Sequence, residues 1–394
     1  MNSEIAPQTN PKSIEIEGWR FVPHSFAIVN QFQLLEMRQR QELRLFHREM
    51  PYFDRHWKPQ RGLLDANAER TLSQIPHPPP DCPVDAVLRV FMPYNLKPAK
   101  TGRTCVLATT EWGIVQKLML NLMGVPAFWD AHRDTDTIII TPSEWSRRGF
   151  LRSGADPARV VVVPHGVDTR TFYPLSPTER TALRQKYGID GCFAFLHISV
   201  MTWNKGIRGL LKAFAAVVER YPQARLILKG MEALRKSREF IVDDLKTVLT
   251  EAEAARVIPR IAYLGDNLSA VELAQLHQIA DAYVAPYLAE GFNMPVLEAA
   301  ACGLPIICTR GGPTDDFTRS DFALHIESKL EITEIDGERR FYLHPHLEHT
   351  IALMCQAIEQ PGFLDRARQA SVRFVENGYT WRHVVDRLLG VMLN

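Results

Sequence analysis

The feature that most limits how this chain can fold is a recurring unit: a short, mostly apolar run that ends in polar residues and is followed by a helical stretch. Asp85–Met92, Thr104–Thr109, Thr137–Thr141 and Val160–Val163 read as buried strands in the first half. Phe193–Val200, Arg225–Leu228, Ile261–Leu264, Ala282–Ala285 and Pro305–Cys308 do so in the second. Between them lie helical stretches at Val115–Met123, at EWSRRGFLRSG behind a capping Ser143, at Gly209–Arg220, and after the Ser269/Glu272 capping box. Apolar strands alternating with helices at this spacing imply a parallel sheet covered on both faces. The expected fold class is therefore α/β, with two doubly wound, Rossmann-like domains facing a central cleft. At 394 residues the chain has room for two domains of ordinary size.

The strand at Val160–Val163 leads into Pro164-His165-Gly166-Val167-Asp168, and Thr169–Pro177 reads as an interdomain linker. The chain thus divides into a first domain over 1–168, a second domain over 169–378, and a helical segment over 379–394. Residues 1–15 read as a loose tail, and 19–29 mix strand-like residues with a Pro-His-Ser turn. The stretch 30–49 reads as a helix whose polar side carries Arg38, Arg40, Arg44 and Arg48. A peripheral membrane contact through this basic helix is one expectation. A solvated face is the stronger one, because Glu36, Glu42 and Glu49 dilute the charge. Pro76–Pro83 is a stiff connector, 328–345 reads as an insertion or loop pair, and 348–359, 363–377 and 381–393 are helical.

Composition narrows the function. A formal net charge of +1 gives no field that would point to nucleic acid or an acidic polymer. No apolar run approaches the ~20 residues of a membrane span, and the polar start MNSEIAPQTNPKS lacks the apolar stretch of a signal peptide. The six cysteines (82, 105, 192, 302, 308 and 355) are scattered without a C-x-x-C pair, which reads as reduced thiols in a cytoplasmic protein. Neither G-x-G-x-x-G nor a P-loop occurs. Asp134-Thr135-Asp136 could be a D-x-D metal site, but it precedes a buried strand, whereas ligand sites in α/β sheets lie beyond strand ends. No metal and no cofactor other than a donor substrate are expected.

The most informative stretch runs from Asp281 to Thr314. Its strand Ala282–Ala285 enters a loop around Gly291, then a helix opened by Pro295 and closed by Gly303, then the strand Pro305–Cys308. Glu290 lies in the loop and Glu298 near the helix start. The helix N-terminus between them suits an anion. Backbone N–H groups of Phe292, Asn293 and Met294 can face phosphate oxygens, Glu290 can accept from sugar hydroxyls and Glu298 from a ribose.

This string resembles the E-x7-E segment of retaining family-4 glycosyltransferases, which have the two-domain GT-B fold. Glu290, Gly291, Phe292, Pro295, Glu298, Gly303 and Pro305 match the family's pattern. Pro164–Asp168 resembles its Pro-Asn-Gly-Val-Asp, with His165 as the difference. Lys205-Gly206 resembles the end of its Gly-Arg-x-x-x-x-Lys-Gly motif, with Val200 where the family carries an arginine. The resemblance implies a hexose moved from a nucleotide diphosphate sugar to an acceptor, with retention and without an essential metal. The acceptor could be a saccharide, a lipid-linked molecule or a small molecule. It implies Glu290 and Lys205 as catalytic residues. It implies Lys205, Gly230, Asp266, Leu268, Glu290, Gly291, Phe292, Asn293, Met294 and Glu298 on the donor, and Ser25, Asn95 and Glu111 on the acceptor side. Arg208 or Lys229 is the expected replacement for the missing arginine. The Val200 departure also motivates an alternative, a non-catalytic protein that only binds nucleotide sugars. The final helix is expected to cross back onto the first domain.

Overall fold

A computed structural model describes residues 10–122, 124, 126–335 and 337–394. The first half runs β1 (Lys12–Gly18), α1 (Ser25–Met37), β2 (Leu43–Glu49), α2 (Ala66–Ser73), β3 (Ala86–Val90), β4 (Arg103–Leu107), α3 (Lys117–Leu122), α4 (Phe128–Arg133), β5 (Ile138–Thr141), α5 (Glu144–Arg152) and β6 (Val160–Val162). Its six strands form one parallel sheet in the order β2-β1-β3-β4-β5-β6.

The second half runs α6 (Pro177–Lys186), β7 (Phe193–Ile198), α7 (Ile207–Arg220), β8 (Ala224–Lys229), α8 (Ser237–Val248), α9 (Glu251–Val257), β9 (Ile261–Leu264), α10 (Ala270–Ile279), β10 (Ala282–Ala285), α11 (Met294–Ala301), β11 (Ile306–Thr309) and β12 (Ala323–Ile326). These strands make a second parallel sheet, β12-β11-β10-β7-β8-β9. An antiparallel hairpin of β13 (Ser328–Ile335) and β14 (Glu338–Pro345) comes next, then α12 (Leu347–Glu359), α13 (Pro361–Glu376) and α14 (Trp381–Leu393).

Strand order reverses between β1 and β3 in one sheet and between β10 and β7 in the other. Loops splay apart at such a reversal and leave a crevice beyond the strand ends. The two crevices face each other.

Helix α14 packs on the first sheet and not on the second. Trp381, Val384, Val385 and Leu388 are buried in one cluster with Ile14, Ile16, Val29, Leu88 and Cys105. Phe32 stacks on Trp381 at 5.4 Å, and Arg40 pairs with Asp386 at 2.6 Å. The chain's two crossings between the halves are tied together, since the Val167 N–H donates to the Tyr379 carbonyl at 2.9 Å.

Three expectations from the sequence need correction. The tail expected over 1–15 falls partly outside the described residues, but Lys12–Gly18 is a strand. Its Ile14 and Ile16 are buried on one face, while Glu15 and Glu17 pair across the sheet with Arg48 and Arg89. The helix expected over 30–49 ends at Met37, and Leu43–Glu49 is a strand in register with Lys12–Gly18. The cause is a switch to period-two patterning at Leu43-Arg44-Leu45, which suits a half-buried strand. Arg40 and Arg48 are in ion pairs, and all four arginines lie beyond the last residue of α1, so they do not share one helix. No helix among the described residues is long and apolar enough to cross one. Finally, within the stretch read as an insertion or loop pair, Ser328–Ile335 and Glu338–Pro345 pair as antiparallel strands and are not loops. Met123 of the expected 115–123 helix lies outside the described residues.

Candidate active site

Both crevices open into one cavity of about 470 Å³, within the range of small-molecule sites. The first half supplies the ends of β3 and β4 and the start of α1, including Ser25, Phe26, Tyr94, Glu111 and Trp112. The second supplies Val200, Lys205, Lys229 and the loop from Glu290 to Pro295.

The loop holding Lys205 is laced to the loop holding Glu290. Asn204 donates from Nδ2 to the Ala289 carbonyl at 2.9 Å, and its own carbonyl accepts from the Leu288 N–H at 2.8 Å. Gly206 is next, with a left-handed φ of 77°, and a Cβ there would strike the Pro286 carbonyl. Only glycine meets both demands. Gly291 is required for a different reason: a Cβ would run into the Thr109 side chain from the other domain. The Ser143 hydroxyl also donates across the cleft to the Gly291 carbonyl at 2.7 Å. The cavity floor is therefore assembled from both halves.

On this floor Lys205 Nζ lies 2.9 Å from Glu290 and 3.8 Å from Glu111. Burial works against the Lys205 charge, but the Glu111 and Glu290 carboxylates outweigh it and hold the ammonium above its ordinary range. Glu290 shifts upward instead. Burial is the main cause and Lys205 only partly offsets it, with Glu111 adding repulsion. Two acids thus share one cation, and the cluster carries no spare positive charge.

Helix α11 begins beside this cluster. Asn293 adopts a left-handed conformation as its N-cap, and no side chain caps the helix. Among the described residues, the N–H groups of Phe292, Asn293 and Met294 have no protein acceptor, which leaves them free for an anion. Further along α11, Glu298 sits 3.5 Å from His277. Its Oε2 is buried without a hydrogen-bond partner, as are both His277 ring nitrogens. That oxygen is the one that faces His277 Nε2.

Two neutral histidines complete the wall. His24 caps α1, accepting from the Phe26 N–H at 3.2 Å, and burial together with Arg235 brings it down to about 4. His165 packs edge-on against Phe292 at 4.9 Å, and burial brings it down to about 3.

Of the expected site residues, Lys205, Glu290, Gly291, Phe292, Asn293, Met294, Glu298, Ser25 and Glu111 line this cavity. Four others do not. Asn95 turns away, its Oδ1 accepting from the Lys97 N–H at 3.1 Å. Gly230 lies behind the wall, packed against Tyr263 and Ser237. Asp266 is exposed and Leu268 packs on the second core, because their loop is drawn to the other half by Asn267 donating to Gln60 at 2.6 Å. Arg208 is committed to Asp244 at 2.6 Å. Asp134 pairs with Arg133 at 3.0 Å, at the end of β5 remote from the cavity. Among the described residues no His, Cys, Asp and Glu cluster is placed to hold a metal.

Sequence reading overlooked the hairpin at the cavity's rim. The Phe341 N–H donates to the Trp112 carbonyl at 2.9 Å, Glu338 accepts from the Lys117 N–H, and the Arg152 guanidinium covers the Phe341 ring at 4.4 Å. Trp112 and Trp203 stack at 5.6 Å, with Tyr342 edge-on to Trp203. The Asp336-Gly337 dipeptide between alternating runs was the available signal.

Residues 179–340 match the glycosyl transferases group 1 family. The structure aligns with HepE of Anabaena in complex with UDP-glucose at a TM-score of 0.67, covering 96% of this chain and 98% of that one at 14% identity. It aligns with a Rickettsia africae glycosyltransferase at 0.68, covering 98% of each at 13% identity. The fold is GT-B, and residues 179–340 of its second half are similar to the glycosyl transferases group 1 family.

Within this GT-B frame, sequence likeness concentrates in part of the chain. A D-inositol 3-phosphate glycosyltransferase of Pseudarthrobacter chlorophenolicus is 35% identical over 160 residues, 40% of this chain and 36% of that protein. O-antigen chain mannosyltransferase B of Escherichia coli is 32% identical over 181 residues, 45% and 44% respectively. The chain spans less than half the length of these curated relatives in the matched regions.

Proposed function

We propose that this protein is a retaining glycosyltransferase that moves a hexose from a nucleotide diphosphate sugar to a hydroxyl acceptor without an essential metal. The observation that carries this reading is one cavity combining three features: the Glu111–Lys205–Glu290 cluster, the free N–H groups at the start of α11, and Glu298 in its lining. The names of the relatives, and a structural neighbour holding UDP-glucose, fit the same substrate class.

In the proposed reaction the bond from the anomeric carbon to the diphosphate breaks and its electron pair leaves with the phosphate. The acceptor oxygen bonds to the same face, and its proton passes to the departing phosphate oxygen. Negative charge grows on the diphosphate, where the α11 N–H groups stabilise it. Glu290 accepts from sugar hydroxyls, Lys205 fixes that carboxylate in place, and Glu298 accepts from the ribose. Ser25 and Glu111 face the acceptor, with Trp112 beside them.

Calorimetric titration of UDP, GDP, ADP and their hexose forms, with and without magnesium, tests the donor half. Magnesium-independent binding of one diphosphate is expected, and a strict magnesium requirement would remove the metal-free mechanism. The anomeric configuration of the product, read by NMR, tests retention. A second reading is binding without turnover, favoured by Val200 at the end of β7 and by a Lys205 already neutralised by two acids. Transfer of labelled sugar from the bound donor to acceptor extracts would eliminate it.

A further inference from the structure

Strands β7 and β8 end side by side at the cavity, with Ile198 and Lys229 in register and the Ser199 N–H donating to the Lys229 carbonyl at 3.1 Å. Beyond the first strand the chain presents apolar Val200, and the second ends in Lys229. Lys229 is 3% exposed. Its ammonium donates to the adjacent Gly230 carbonyl, and no carboxylate among the described residues forms an ion pair with it. Burying an unpaired ammonium is costly. Such a group is kept where a ligand supplies the counter-charge.

The cavity's other lysine is in the opposite condition. Lys205 is held between Glu111 and Glu290, so a phosphate placed there would meet two carboxylates for one ammonium. We propose that Lys229 is the cation that grips the donor's diphosphate, entering from β8 where the end of β7 offers none, while Lys205 serves the sugar end through Glu290. This rests on the donor reading above and assigns the diphosphate its place. Burial, only partly countered by Asp266 and Glu232, brings the empty-site ammonium down to about 8. A bound anion would draw it back up.

The test is calorimetry on the full chain with UDP, uridine and inorganic pyrophosphate, comparing wild type with K229M, K229R and R208Q. K229M is expected to weaken UDP and pyrophosphate roughly 10- to 100-fold, the effect of losing a charged hydrogen bond, and to leave uridine unchanged. K229R should restore most of the diphosphate affinity, which a purely structural role would not require. R208Q should behave as wild type, since Arg208 pairs with Asp244 away from the cavity. Equal diphosphate binding by K229M and wild type would overturn the proposal. Pyrophosphate binding that depends on Lys229, without binding of any nucleotide, would retain the anion site and sink the donor reading instead. If wild type binds neither, both fall.

Discussion

The two walls of the cleft share one architecture and differ in chemistry. The second domain contributes Lys205, Lys229, Glu290 and Glu298 together with an uncapped helix start. The first contributes Phe26, Tyr94, Trp112 and two histidines that burial holds neutral, with Glu111 as its acid. A charged wall and a largely neutral, aromatic wall would suit the two ends of the reaction proposed above. Charge grips a diphosphate through electrostatics, and aromatic faces accommodate the apolar faces of a sugar ring. The difference lies at the ends of the strands and in the loops and helix starts that follow them, not in the sheet interiors.

The sharpest way to break this comparison is on the charged wall. Glu290→Gln keeps shape and removes the carboxylate proposed to face the sugar. Turnover should fall about 100- to 1,000-fold with little change in melting temperature. A comparable loss of stability would mean that Glu290 is structural. Next, nucleoside diphosphate affinity should be steady at neutral pH and fall toward tenfold per unit above about 8, where the empty-site Lys229 loses its proton. Affinity falls in that direction because the free lysine must then take up a proton to hold the anion. A pH-independent affinity up to about 10 would contradict it.

The neutral wall should reveal itself through stability. His165 lies below its unfolded value of 6.5, so the unfolded chain binds the proton first. Its stabilising contribution is complete above about 6.5 and is lost as pH falls toward 3. His165→Phe should therefore lose less stability than wild type on acidification, by about 2 kcal/mol at pH 5, read from urea midpoints at pH 7 and 5. The smallest effect is expected at the rim. Phe341→Ala removes the ring beneath Arg152 and should cost about 1 kcal/mol. Limited proteolysis should then show faster cutting of the hairpin, with diphosphate affinity preserved.

How much of this was legible in the sequence depends on burial. Thr137–Thr141 and Ala282–Ala285 were readable because both faces of those strands are covered, so the run is apolar throughout. Strands β1 and β2 were not, because their charges pair across the sheet. Glu15, 7% exposed yet bonded to Arg48, shows how a buried strand can look like a surface one. At the site, Glu290 and Glu298 stand out by their place around a helix start. The partnership of Glu111 with Lys205 joins loops of different domains and has no local pattern. Asn95 misled because its neighbour Tyr94 lines the cavity while Asn95 itself turns away to close a turn.

The packing of α14 sets an order on the making of this protein. Trp381, Val384, Val385, Leu388, Leu389 and Met392 finish a core otherwise built from residues before 170. During synthesis, then, the domain that emerges first is completed last. Its apolar face over Ile14, Val29 and Leu88 stays uncovered until residues 381–393 have been made. Vectorial folding, which ordinarily closes domains in sequence, here closes the second domain while the first waits. A chain that ends before Trp381 would hold a formed second half beside an unfinished, adhesive first one.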